Sequence, residues 1–139
     1  MSSSVFTRII RGEAPAHRVW EDEEFLAILD TSPARPGHLL LIPKQEVDYV
    51  FDLPGPLYSR LWERARRLVG PLREATGAAR IGIAVEGLSV PHVHVHLVPV
   101  SAPGDLDPNK QRRASEEELA RVAEAIRAAL AGAGAVQAG

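Results

Sequence analysis

The stretch His92-Val-His-Val-His96-Leu-Val-Pro-Val100 alternates imidazoles with valines for five residues and then continues largely apolar. Alternation with period two marks a strand, because successive side chains on a strand point to opposite faces. A strand over 92–100 therefore places three imidazoles on one face, neighbours about 6.6 Å apart, and Val93, Val95 and Leu97 on the other. A solvated strand would mix other polar types on that face, so three of the chain's five histidines in this register point to chemistry. Two kinds fit. Histidines at i and i+2 can share a divalent ion. Alternatively, an imidazole that is substantially neutral at pH 7 can attack a phosphorus centre and leave a labile phosphoramidate, with its neighbours offsetting phosphoryl charge.

Outward from this strand, the pattern gives the rest of the fold. A strand over 80–85 precedes it, joined by Val85-Glu-Gly-Leu-Ser-Val-Pro91. Before that, Leu57, Leu61, Trp62, Ala65, Leu68, Val69 and Leu72 recur at spacings of three and four and predict a central amphipathic helix. Gly70-Pro71 should kink it and Thr76-Gly77 should close it. Residues 38–43 form an apolar run of strand length, continuous enough to be buried on both sides. Segments 18–20 and 25–30 read as a hairpin across an acidic turn, and Ser4 caps a short helix over 5–11. Residues 46–53 read as a helical turn or two, ended by Pro54-Gly-Pro56. Ser115-Glu-Glu-Glu118 is a capping box opening a C-terminal helix. Runs of strands with one central and one terminal helix predict an α+β fold with a mostly antiparallel sheet.

With 139 residues, 45% of them hydrophobic, the chain has the size and apolar content of one domain, 1–139, in which 133–139 reads as a small-residue tail. Sixteen basic against eighteen acidic residues leave a formal net charge of −2 with no basic block, so no nucleic-acid partner is expected. There are no cysteines, which excludes disulfides, thiolate metal sites and cysteine nucleophiles. No membrane span or signal segment is visible, and a cytoplasmic protein is expected.

The sequence resembles the histidine triad (HIT) family of nucleotide hydrolases and transferases. The signature, three histidines alternating with apolar residues and two apolar residues after them, is complete in His92-Val-His-Val-His96-Leu-Val98. The likeness extends over residues 5–15, Phe25-Leu-Ala-Ile-Leu-Asp30 and Pro36-Gly-His-Leu-Leu-Leu-Ile-Pro-Lys44. It implies a five-stranded antiparallel sheet, usually in a homodimer. It makes His94 the nucleophile that forms a nucleotidyl-histidine intermediate and His92 the residue that orients it. His96 and His38 would contact the α-phosphate, and Asp30 the ribose hydroxyls. Val5, Phe6, Ile9, Ile28, Leu29 and Leu40 fall where relatives line the pocket of a purine nucleotide substrate. Ser89 either donates to the phosphate or leaving group or serves only its turn.

Three departures refine this. Some family members hold a structural zinc through two N-terminal cysteines, a histidine after the Ile-Pro-Lys segment and the first triad histidine. Here Ser4, Thr7 and Glu46 stand beside His92, so neither a metal nor a cofactor is expected. The asparagine and glycine-rich stretch that serve the leaving group in many members are replaced by residues 85–91. The transferase branch has glutamine at the third position, whereas His96 favours hydrolysis. The expected activity is thus a phosphoramidase or dinucleoside polyphosphate hydrolase, against a purine-nucleotide-binding module with little catalysis.

Overall fold

The computed structural model describes residues 3–134. Its elements are α1 (Val5–Ile10), β1 (Arg18–Glu21), β2 (Phe25–Leu29), β3 (Leu39–Pro43), α2 (Gly55–Thr76), β4 (Arg80–Ala84), β5 (Val95–Val100) and α3 (Glu116–Ala133), with single 3-10 turns at Val50–Asp52 and Pro108–Lys110. The strands form one sheet in the order β1-β2-β3-β5-β4, every pair antiparallel. This is the α+β architecture with an antiparallel sheet, a central helix and a C-terminal helix that the pattern predicted, and its five strands are those the resemblance implied. Of the expected tail, Ala133 ends α3 and Gly134 caps it; residues 135–139 lie outside the described residues.

The two faces of the sheet are covered unequally. β2 and β3 are buried at every position, as their continuous apolar runs require. One face packs Phe25, Leu39, Leu41, Val95 and Leu97 against Leu61, Leu68 and Leu72 of α2 and Ala123 and Ile126 of α3. The other face packs Leu26, Ile28, Leu40 and Ile42 against Phe6 and Ile9 of α1. A six-residue helix is only about 9 Å long, so it covers part of that face and leaves the remainder as a cleft.

The sequence reading of α2 is extended at its start and met at its end. Pro54-Gly-Pro56 opens this helix: proline is tolerated in a first turn, where its missing N–H has no intrahelical partner to lose. The helix continues through Pro71 to Thr76, and Gly77, in the left-handed conformation, closes it as expected. An interior proline costs about 3 kcal/mol. The buried leucines on either side, Leu68 and Leu72, contribute about 1.5–3 kcal/mol each by burial, which offsets that cost and carries the helix past Pro71.

Candidate active site

The cleft beside α1 has a volume of about 510 Å³. Strand pairing supplies one wall, since His96 on β5 lies opposite both Leu40 of β3 and Ala84 of β4. His38, immediately before β3, brings its ring alongside. The cleft is lined by Val5, Phe6 and Ile9 of α1, by Ile28, Leu29, Asp30 and Leu40 of the sheet, and by His38, His94, His96 and Ser89. Eleven of the twelve residues singled out from the sequence therefore converge on one cavity. His92 is the exception.

Strand β5 begins at Val95, not at His92. Residues 92–94 lie outside the ladder: His92 N–H donates to Val90 O and Val93 N–H to Val47 O. Alternation of facing survives all the same, with Val93, Val95 and Leu97 in the main core. His92 is fully buried, edge-on to Phe6 at 5.8 Å. Its Nε2–H donates to Pro43 O at 2.8 Å, so Nδ1 of the neutral ring is an acceptor, and Ser4 Oγ lies 2.6 Å from it. The three imidazoles thus do not share one site, and the metal reading built on all three is not realised.

The remaining tautomers follow from the same reasoning. His94 Nδ1 lies 2.7 Å from His92 O, which only accepts, so Nδ1 carries the proton and Nε2 carries the lone pair. His38 Nδ1 accepts from Ala34 N–H at 2.9 Å, so its Nε2–H donates to His96 Nδ1 at 2.9 Å. His96 in turn presents Nε2–H as a donor. Backbone groups at two points therefore impose a base at His94 and a donor at His96.

Asp30 directly follows β2, with one carboxylate oxygen accepting from Ser32 N–H at 2.9 Å and the other 3.6 Å from His38 Nε2. Gln111 reaches the same carboxylate at 3.3 Å while donating to Ser32 O at 2.6 Å, and it also lines the cleft. Sequence reasoning missed Gln111. It lies 81 positions from Asp30 in a polar, irregular segment, where no periodicity marks a residue as inward-facing.

A family model described as HIT domain matches residues 11–102. The chain belongs to the HIT family. Relatives include Protein hit of Bacillus subtilis, 33% identical over 106 residues that cover 73% of each chain. Another is Adenylylsulfatase HINT3 of Arabidopsis thaliana, 32% identical over 100 residues; the match covers 68% of this chain and spans about half, 51%, of that protein. Among solved structures, a zinc-bound histidine triad family protein from Mycobacterium smegmatis superposes with a TM-score of 0.83 at 33% identity, covering 97% of this chain and 98% of that one. A HIT-like protein from Bartonella henselae, described as involved in cell-cycle regulation, gives 0.82 at 28% identity, covering 92% and 96%.

Burial sets the charge state of this HIT cleft. It pushes the His38 imidazole down to about 4, with Asp30 acting the opposite way and His96 adding to the fall. Burial likewise lowers His96, reinforced by His94 and opposed by Asp30 and Glu86. His92 is lowered for the same reason, against its bond to Pro43 and the charge of Glu46. Each of these groups binds protons more readily when unfolded, so each contributes stability that is complete above the ordinary value of 6.5 and declines as pH falls below it. For His38 the loss runs from 6.5 down to about 4. Urea unfolding at about pH 7.5 and pH 5 should differ by roughly 1–3 kcal/mol, with a smaller difference in His38→Asn. Equal urea midpoints at the two pH values would contradict the neutral-imidazole cluster.

Among the described residues, one cluster has metal-ligating spacing, Asp30, His38 and His96, whose facing atoms lie within 4.8 Å of one another. The proton on His38 Nε2 occupies the line between the two rings, so the geometry shown is that of a hydrogen bond. No helix among the described residues is long and apolar enough to cross a membrane.

Proposed function

We propose that this protein hydrolyses nucleotides at the α-phosphorus through a nucleotidyl-histidine intermediate on His94. The observation that carries the reading is the bond from His94 Nδ1–H to His92 O, which leaves Nε2 as the unprotonated nitrogen of a ring on the cleft wall. In the first half-reaction the Nε2 lone pair forms the N–P bond. The leaving group departs with the bonding pair and takes a proton from solvent at the cleft mouth. His96 Nε2–H donates to a phosphoryl oxygen, and the His38–His96 bond holds that donor in place. Water then attacks phosphorus, returns a proton to solvent, and releases the nucleoside monophosphate and free His94. Asp30, held by Ser32 and Gln111, is suited to the ribose hydroxyls, and the apolar side chains of α1 and β2 to the base. The relative named adenylylsulfatase supports hydrolysis of an adenylyl substrate.

The charge of the lining bears on the leaving group. Two carboxylates, Asp30 and Glu86, face the cleft together with His38 and His96, whose lowered values keep them neutral at pH 7; the lining contains no lysine or arginine. A polyphosphate leaving group would add several negative charges with no cation to meet them, whereas an amine brings none. Nucleoside phosphoramidates are therefore the favoured class and dinucleoside polyphosphates the disfavoured one. Rapid-quench intact-mass measurement with adenosine phosphoramidate and with a diadenosine polyphosphate tests this directly. A nucleoside monophosphate adduct forming faster from the phosphoramidate is expected. Turnover without any adduct would remove the covalent step, and nucleotide binding without turnover would favour the binding-module alternative. The proposal extends to a cytoplasmic homodimer, for which the outer edge of β4, with Ile83 exposed, offers apolar surface.

A further inference from the structure

The carbonyl of His92 holds the proposed nucleophile, yet His92 itself stands outside the cleft, anchored by residues that the reaction does not touch. Glu46 Oε1 accepts from Ser4 N–H at 3.0 Å and from the Thr7 hydroxyl at 2.5 Å. Ser4 Oγ accepts from Thr7 N–H at 3.0 Å. Its own proton has two acceptors in reach, His92 Nδ1 at 2.6 Å and Thr7 Oγ1 at 3.3 Å, and the shorter one takes it. His92 Nε2–H then reaches Pro43 O. Every proton in this chain has one acceptor, and no buried side-chain polar atom among the described residues lacks a partner. Three segments separated by about forty residues each are joined here: the N-terminus of α1, the turn after β3 and the approach to β5.

We propose that Ser4, Thr7 and Glu46 are positioning residues that clamp the His92 ring, so that its carbonyl keeps His94 in one tautomer with Nε2 aimed for attack; this rests on the reading of His94 as nucleophile. Ser4, Thr7, Glu46 and His92 occupy the positions at which the family resemblance implies a structural zinc in some members. Zinc does not fit these residues. Tetrahedral zinc with bonds of about 2.0–2.2 Å keeps its donors more than 3 Å apart and takes cysteine, histidine or carboxylate ligands. Two hydroxyls here make direct contacts of 2.5 and 2.6 Å, so the hydrogen bonds themselves tie α1 to the triad.

The test is steady-state kinetics on adenosine phosphoramidate together with nitrogen-15 shifts of the His92 ring, for Ser4→Ala, Glu46→Ala and Glu46→Gln. Ser4→Ala and Glu46→Ala should lower kcat about 3- to 10-fold with KM within about twofold, the range of one lost hydrogen bond. The His92 ring should keep its proton on Nε2, where Pro43 O accepts it, while its Nδ1 resonance in Ser4→Ala shifts downfield as the hydrogen bond from Ser4 is lost. Glu46→Gln keeps the accepting oxygen and should retain wild-type kcat and the wild-type Nδ1 shift. Unchanged kcat with an unchanged His92 Nδ1 shift in Ser4→Ala overturns the clamp, as does a fall in kcat that merely follows the unfolded fraction in a thermal melt. Stoichiometric zinc in the purified wild type, lost in Ser4→Ala, also overturns it. If wild type and His94→Ala turn over equally, the hydrolase reading fails instead, while the nitrogen-15 signature still decides whether the clamp exists.

Discussion

Replacing His94 with alanine should reduce kcat/KM by about 10⁴-fold or more, because the residue removed forms the covalent bond and the remaining groups only bind and polarise. Folding should survive. His94 packs its ring 4.9 Å from Phe6 on the wall of the cleft, so truncation enlarges an existing cavity instead of opening a new one in the core. Affinity for the product monophosphate should remain within a few-fold, since Asp30 and the apolar wall are untouched, and calorimetric titration measures that directly. In His94→Gly, added imidazole should restore part of the turnover by occupying the vacated space and attacking phosphorus itself. Turnover of His94→Ala within tenfold of wild type would transfer the nucleophile's role elsewhere, and no other ring in the cleft has its lone pair free, because His96 Nδ1 and His38 Nδ1 both accept hydrogen bonds.

The largest effect on stability is expected at Gly37. Its φ of +94° lies where L side chains are strained, and a Cβ there would stand 2.6 Å from Thr76 Cγ2 and 3.2 Å from Pro99 Cγ. Thr76 cannot rotate away freely: its hydroxyl donates to Leu72 O at 2.7 Å and accepts from Ala78 N–H at 3.4 Å, which fixes where its methyl points. Backbone strain of about 1–2 kcal/mol and overpacking of about 1–3 kcal/mol should together make Gly37→Ala roughly 2–5 kcal/mol less stable. Thr76→Ser removes the offending methyl, so the double variant should recover the overpacking part and leave the strain. Urea denaturation of the four proteins of that cycle separates the two. A loss below about 1 kcal/mol in the single variant would show that the loop yields at little cost. Activity should fall as well, because the next residue is His38, which holds the donor His96.

Much of this was legible in the amino-acid order because it depends on near neighbours. The Ser4 cap, the Ser115 cap, the unbroken burial of β3 and the amphipathic face of α2 each follow from residues within one or two turns. So did the spacing of His94 and His96, as did the membership of the cleft, once the residues were matched to a known signature. Boundaries were less legible. The alternation of 92–100 described correctly which side chains face the core, but not that hydrogen-bonded pairing starts only at Val95, since β3 offers ladder partners to Val95, His96 and Leu97 alone.

By itself, then, the order of residues determined the element types, the period of each apolar face and the presence of three imidazoles in one register, because these depend on backbone geometry repeated over a few positions. Tertiary structure decided which nitrogen of each imidazole carries a proton, that His92 turns inward to Ser4 and Pro43, and that Gln111 and Glu46 belong to the surroundings of the site. Those choices depend on partners 2 to 88 positions away. A hydrogen bond acts over about 3 Å of space and is indifferent to distance along the chain, so only the packed fold can specify it.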